Sequence, residues 1–401
     1  MRDHQAVPSV QEAWFLWRLG RRPLMTKQES QAAYRTPYPA PVDPTQTRAR
    51  LVDYPMVSAP DTDMDKVRAV AVERLVHACR VCRICDGRAC AGLIPGFGGV
   101  GTGASFVSNV EALSRRKLNL RVLHDAVEPD IRTRLFGLDL SMPVLGAAVA
   151  GIRVNRIAGL SEQELADAMV LGPASAGSVG MGGDGGDPEV FRCAVSAAAR
   201  ANGRAIAVIK PRQQRELLDR IAAARAAGVA AIGVDVDAAG LVNMALLGQK
   251  VEPKPPTLVR ELVQAADDKP LILKGIMTVE DALIAADAGA AAIVVSNHGG
   301  RALDHTPGTA DVLPEIAEAV RGRLTILADG GIRSGVDVLK MLALGADAVL
   351  VGRPLAIAAV GGGADAVRAQ LEALAAQLRV AMTLTGCASL KEVSPAVLWR
   401  G

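Results

Sequence analysis

Between residues 143 and 354 the chain repeats one unit eight times, a short apolar run followed by an Ala-rich amphipathic stretch. The runs are "PVLGAAV" from Pro143, "SVGMGG" from Ser178, "RAIAVIK" from Arg204 and "AAIGVDV" from Ala230. They continue with "PLILKGI" from Pro270, "AAIVVSN" from Ala291, "LTILADG" from Leu324 and "AVLVGRP" from Ala348. The runs are continuous rather than alternating in polarity, as strands covered on both faces must be. Helix-like stretches such as "RQQRELLDRIAAARAAG" and "VEDALIAADAGA" lie between them. Parallel strands need such crossovers, so the repeat predicts an α/β chain with a closed (β/α)8 TIM barrel over 140–401. Half of the 401 residues are hydrophobic and Gly and Ala abound, which lets helices pack closely on a sheet.

The rest of the chain is different. Residues 1–63 are rich in Pro and polar residues ("YRTPYPAPVDPTQTRARLVDYPMVSAPDTD") and sustain no hydrophobic period, which predicts an irregular or disordered arm. At Met64, a candidate alternative start, the helical pattern "MDKVRAVAVERLVHAC" opens a helical, Cys-rich lead-in over 64–139. A net charge of +3 makes no case for a nucleic-acid partner. No apolar run is long enough to span a bilayer, and the N-terminus lacks the apolar core of a secretory signal. The expectation is a cytoplasmic protein with no membrane partner.

A barrel of this kind carries its chemistry at the C-terminal ends of its strands. Those ends hold Asp235 and Asp237, Lys274, Ser296 to Arg301, Asp329 to Arg333, and Gly352 with Arg353. The segment "SNHGGRALDH", Ser296 to His305, places a His and an Arg three residues apart on one such loop, more than a turn requires.

With these residues assembled, the chain resembles the FMN-dependent α-hydroxy acid oxidase and dehydrogenase family, which includes glycolate oxidase. The resemblance covers roughly residues 92–395 and is carried by "LKGIMTVEDA", "IVVSNHGGRALD", "LADGGIRSGVDVLKMLALGADAVLVGRP" and "MTLTGCASLKEVS". It implies FMN as cofactor and a role for each motif residue. Lys274 matches the lysine beside the flavin N1 and O2, where its charge stabilises the reduced ring. Gly331 with Arg333, and Gly352 with Arg353, match the phosphate clamp. His298 matches the catalytic base and Asp237 the carboxylate that orients it. Arg301 matches the grip on the substrate carboxylate. Ala148 and Ala150 match the small residues packed near the flavin, and Ser296 and Asp329 belong to the same set of strand-end contacts.

The substrate half of the resemblance is altered. Lys210 and Pro211 stand where the family has an aromatic residue after the third strand, and the cysteines occupy the region of its pre-barrel tyrosine. Met244 stands near the family's second carboxylate-gripping arginine, Asp235 replaces a hydroxyl residue, and "GMGGDGG" with Asp184 ends the second strand. A pocket with added charges and two lost tyrosines is expected to refuse glycolate and lactate. A larger or more polar small molecule, an amine, or a modified peptide is the expected substrate. The electron acceptor is unknown, and the resemblance implies a homo-oligomer.

Four of the six cysteines, Cys79, Cys82, Cys85 and Cys90, form a C-x2-C-x2-C-x4-C run. Its first spacings resemble a bacterial ferredoxin run, although the fourth cysteine is displaced and no proline follows. Structural zinc more often uses two separated knuckles. A [4Fe-4S] cluster, zinc, and metal-free thiols or a disulfide are the three readings. Arg80, Arg83 and Arg88 lie between the cysteines, either offsetting thiolate charge or forming a solvated basic face. The leading expectation is an oxidoreductase taking hydride from a hydroxyl- or amine-bearing carbon. A flavin-dependent isomerase and a redox-responsive flavin or metal-binding protein are the competing readings.

Overall fold

The computed structural model describes residues 62–400. The predicted arm therefore lies outside the described residues except for Thr62 and Asp63. Asp63 caps the helix Met64–Arg74 by accepting from the amides of Asp65 and Lys66. An irregular stretch carrying the four cysteines follows, and then helix Ala104–Arg115.

Two short strands come next, β1 (Thr133–Leu135) and β2 (Leu138–Leu140), paired antiparallel. The barrel is then built from β3 (Val144–Gly146), β4 (Gly180–Gly182), β5 (Ala205–Ile209), β6 (Ala231–Asp235), β7 (Leu271–Ile276), β8 (Ala292–Val295), β9 (Thr325–Ala328) and β10 (Ala348–Val351). Every neighbouring pair is parallel, and β10 returns to pair with β3. All eight strands fall within the apolar runs read from the sequence, and the barrel closes as expected.

The barrel core holds Leu145, Met181, Ile206, Ile272, Val294 and Leu350, and Leu135 and Leu140 of the β1–β2 hairpin pack into the same cluster. The hairpin thus closes one end of the barrel with apolar side chains. A second apolar layer lies between the outer strand faces and the surrounding helices. Local signals fix where those helices start. Ser161 with Glu164 and Ser334 with Asp337 form reciprocal capping boxes at the helices Glu162–Ser175 and Gly335–Ala343. The last helix, Arg353–Thr383, bends at Gly362 and Gly363. Among the described residues no helix is long and apolar enough to cross a membrane.

Candidate active site

The sequence-selected residues meet at the end of the barrel where the strands finish. β6 ends in Asp235, and a short 3-10 turn, Val236–Gly240, carries Asp237. On β7, Lys274 is followed by a register shift between Lys274 and Ile276. Gly275 makes that irregularity with φ +105, and a β-carbon there would lie 2.4 Å from the Asp237 Cγ. A glycine at 275 is therefore what lets the Asp237 carboxylate lie against β7.

His298 follows β8 and adopts φ 59, the left-handed region in which a side chain is costly. Its amide donates to Ser296 Oγ at 3.1 Å, and its Nδ1 stands 3.0 Å from Asp237 Oδ1. Its Nε2 has no partner among the described residues, and the ring lines the adjoining cavities.

Asp235 is the electrostatic hub. It accepts from Lys210 Nζ at 2.5 Å and Lys274 Nζ at 3.3 Å, and lies 3.5 Å from His298 Nδ1. Burial works to raise its pKa, but the charges of His298, Lys210 and Lys274 prevail and hold the carboxyl well below the usual range. Asp237 is pushed the other way, by burial first and by the Asp235 charge, against the pull of His298. Lys274 also donates to Ser296 Oγ at 3.0 Å and lies 3.6 Å from Asp329. Burial opposes its charge, yet Asp235, Asp329 and Asp237 outweigh that and raise its pKa above that of an ordinary lysine.

Two adjoining cavities open beside this network. The larger, about 440 Å³, is lined in part by Asn155, Lys210, Met244, His298 and Arg301, with Ala150 in its wall. The smaller, about 100 Å³, is bounded by Lys274, Asp329, Gly331, Arg333, Gly352 and Arg353. Phe97, Ala148, Asp235, His298 and Arg301 border both. Arg301 is nearly without partners. Among the described residues its Nε meets no acceptor and its Nη2 makes only a 3.5 Å contact to Asn155, and burial pushes its pKa down to about 10. A buried guanidinium left in that state favours an anion in the cavity.

Arg333 and Arg353 lie at the far side of the smaller cavity. Arg333 donates from Nε to the Cys85 carbonyl at 3.1 Å, while its Nη2 has no partner among the described residues. Arg353 donates to the carbonyls of Phe97 at 2.6 Å and Gly299 at 3.0 Å, and stacks 3.7 Å from the Phe106 ring centroid. Burial, together with the charges of Arg333 and Arg301, pushes its pKa down to about 9.

Several placements differ from the sequence reading. Lys210 and Asp235 do not present two separate charges to the cavity, because they form a buried ion pair. Asp184 lines the larger cavity, but its carboxylate is taken by Arg212 at 2.9 Å and Arg220 at 2.9 Å. Arg212, only 1% exposed, was missed, as was Phe97 on the border of both cavities. Arg212 stands two residues past Lys210 at the end of β5, the one available signal for it.

The cysteine segment packs beside Arg333 and Arg353, and all four cysteines are free thiols of intermediate exposure. Among the described residues, the one group of three or more His, Cys, Asp or Glu ligand atoms within 4.8 Å of one another is Asp235, Asp237 and His298. The buried lysines on Asp235 already neutralise that group.

Comparison with known proteins converges on one chemistry. The family model described as FMN-dependent dehydrogenase matches residues 97–264 and 246–400. The 4-hydroxymandelate oxidase of Amycolatopsis orientalis is 57% identical over 130 residues, 32% of this chain and 36% of that protein. The match thus spans little more than a third of that relative. The 2-hydroxyacid oxidase of Dictyostelium discoideum is 32% identical over 334 residues, covering 74% of this chain and 82% of its own. A crystal structure of mandelate oxidase with (S)-2-phenylpropionate superposes with a TM-score of 0.64 at 32% identity, over 84% of this chain and 97% of the other.

Proposed function

The chain belongs to the FMN-dependent dehydrogenase family, and on that premise we propose that it is an FMN-dependent oxidoreductase taking hydride from a hydroxyl- or amine-bearing carbon of a small molecule. The observation that carries the reading is the His298–Asp237 contact at 3.0 Å beside a cavity that Arg301, whose Nε has no partner among the described residues, also lines.

The residues present suit the mononucleotide. Gly331 and Gly352 line the cavity with backbone that a phosphate could approach, and Arg333, with no partner for its Nη2, and Arg353, with no carboxylate, are ready cations for it among the described residues. Lys274, held charged by Asp235 and Asp329, would stabilise the reduced ring, and Ala148 and Ala150 would be the small residues that leave room for it. When bound, FMN supplies the hydride acceptor. His298 would take the substrate proton at Nε2, while Asp237 holds Nδ1 and offsets the charge that forms. Asp235 is a second carboxylate at the same ring nitrogen and shares that task. Arg301 would hold the substrate carboxylate.

The rest of the pocket favours a substrate other than the smallest acids. Met244 is buried in the cavity wall near the expected place of a second gripping arginine, and Lys210 is committed to Asp235. A charge-assisted hydrogen bond contributes about 1.5–3 kcal/mol, so one lost partner weakens small-acid binding about tenfold or more. Bulkier 2-hydroxy acids, in keeping with the mandelate and 2-hydroxyacid oxidases among the relatives, or amines and modified peptides, fill the cavity better. The test is anaerobic mixing of the flavin-loaded protein with a panel of these compounds, followed by flavin bleaching. Bulky acids are expected to bleach it and lactate to do so poorly. Rapid bleaching by lactate at low concentration overturns the substrate reading, and no bleaching by any member overturns the activity.

A further inference from the structure

We infer that Cys79, Cys82, Cys85 and Cys90 hold a [4Fe-4S] cluster at the mouth of the barrel, beside Arg333 and Arg353. The four thiols share one neighbourhood. The Phe97 amide donates to the Ala78 carbonyl at 2.7 Å, and a β-carbon on the next residue, Gly98, would run into the Cys90 carbonyl, so the two ends of the run, Cys79 and Cys90, are brought together. All are free and half-buried, on a stretch with no regular structure other than the 3-10 turn Arg88–Cys90.

Spacing separates the possible occupants. A single zinc ion with Zn–S bonds of about 2.3 Å draws four sulfurs to within about 3.8 Å of one another. Here no three of the thiols lie within 4.8 Å of each other. A cubane takes its thiolates at four separate corners and so needs them farther apart than one ion does.

The backbone is arranged for sulfur. The Val81 amide donates to Cys79 Sγ at 3.3 Å, the kind of contact that stabilises a ligating thiolate. The amides of Cys82, Arg83, Ile84 and Cys85 donate to no described residue. Carbonyls of the same stretch, by contrast, are held by arginines. Arg68 Nη2 donates to the carbonyls of Val81 at 3.0 Å and Cys82 at 3.1 Å, and Arg333 donates to that of Cys85. Gly87 turns the segment back at φ +93, where a β-carbon would lie 2.6 Å from the Phe106 Cγ. The loop is therefore fixed on the ring that also carries Arg353.

Charge fits as well. Ligation releases the four thiol protons and leaves a cluster of net negative charge. Arg88 is already taken by Asp86 at 2.9 Å and Glu111 at 2.7 Å. Arg353 has no carboxylate among the described residues and donates to the carbonyls of Phe97 at 2.6 Å and Gly98 at 3.3 Å, the second of which packs against the Cys90 backbone, and Arg80 and Arg83 lie within the run.

The site does not depend on the flavin assignment, and its test reads metal rather than turnover. The full chain is purified anaerobically and assayed for iron, acid-labile sulfide and zinc. About four irons and four sulfides per chain are expected, with a paramagnetic signal after reduction by dithionite. The double variant Cys82→Ser/Cys85→Ser should lose the iron, while Cys193→Ser and Cys387→Ser keep it; circular dichroism verifies that each variant is folded. About one zinc and no iron, or no iron after anaerobic reconstitution with iron and sulfide, overturns the assignment. So does iron retained by the double variant. Should that variant fail to fold, the metal content of the native chain decides alone. Iron without flavin would uphold the cluster and remove the flavin reading.

Discussion

His298 is held in a backbone conformation that costs on the order of 1–3 kcal/mol, and it is held by two contacts, Ser296 Oγ to its amide and Asp237 to its ring. Strain kept in place by flanking hydrogen bonds is how a side chain is aimed. His298→Ala should leave FMN bound and lower the rate of substrate-dependent flavin reduction about a hundredfold to ten-thousandfold, as stopped-flow absorbance would read. Near-native reduction would reject the base assignment. The Lys210–Asp235 pair gives a second prediction. Removing one member of a buried pair costs about 3–5 kcal/mol, so Lys210→Met should lower thermal stability, with Lys274 still facing Asp235 to limit the loss, and adding Asp235→Thr, which strips Lys274 and His298 of that carboxylate, should lower it further. The depressed Asp235 carboxyl contributes stability that is full above its ordinary value of 3.8 and drains away as pH falls below it toward the folded value. Acid unfolding of the double variant should therefore depend less steeply on pH than that of the native chain. Single strand-end residues such as Lys274 and His298 were legible because a strand's end can be found in sequence. The pairing of Lys210 with Asp235 was not, because it crosses from β5 to β6 and depends on their register.

The elements show where sequence patterns lose their grip. Eight apolar runs flanked by amphipathic stretches are a local signal, so the barrel strands were readable one by one. The β1–β2 hairpin was not. Its strands have three residues each, and its turn is Phe136-Gly137, with Phe136 at φ 51, rather than an Asn-Gly or Asp-Gly pair. Yet this hairpin supplies Leu135 and Leu140 to the barrel interior. Leu140 is 2% exposed, so Leu140→Ala should destabilise the protein by about 2–5 kcal/mol in chemical denaturation. Flavin content should be unchanged, because the cavities lie at the other end of the strands. Loss of flavin without loss of stability would contradict the hairpin's role as a packing plug. The cysteine segment is the opposite case. Its residues were easy to single out, but its position against Arg333 rests on a carbonyl contact that no side-chain pattern announces.

Across the whole molecule, three arginines far apart in sequence, Arg301, Arg333 and Arg353, share one region of charge, which is part of why the Arg353 pKa is pushed down to about 9. Concentrated positive charge in a buried place is relieved by an anion. FMN at a hundredfold its dissociation constant should stabilise the flavin-free chain by about 2.7 kcal/mol, whereas riboflavin, lacking the phosphate, should do much less at equal concentration. Differential scanning fluorimetry reads the difference, and equal shifts would remove the arginines from phosphate binding. The barrel's closure also has a consequence for synthesis. Val144 of β3 pairs with Val349 of β10, more than two hundred residues later. A ribosome releases β3 long before its partner exists, so the nascent chain waits with an open sheet edge, the feature through which chains pair with one another and aggregate. Both β3 and its neighbour β4 are only three residues long. That brevity leaves little edge for another chain to grasp, and so protects the protein during the interval before the last strand arrives.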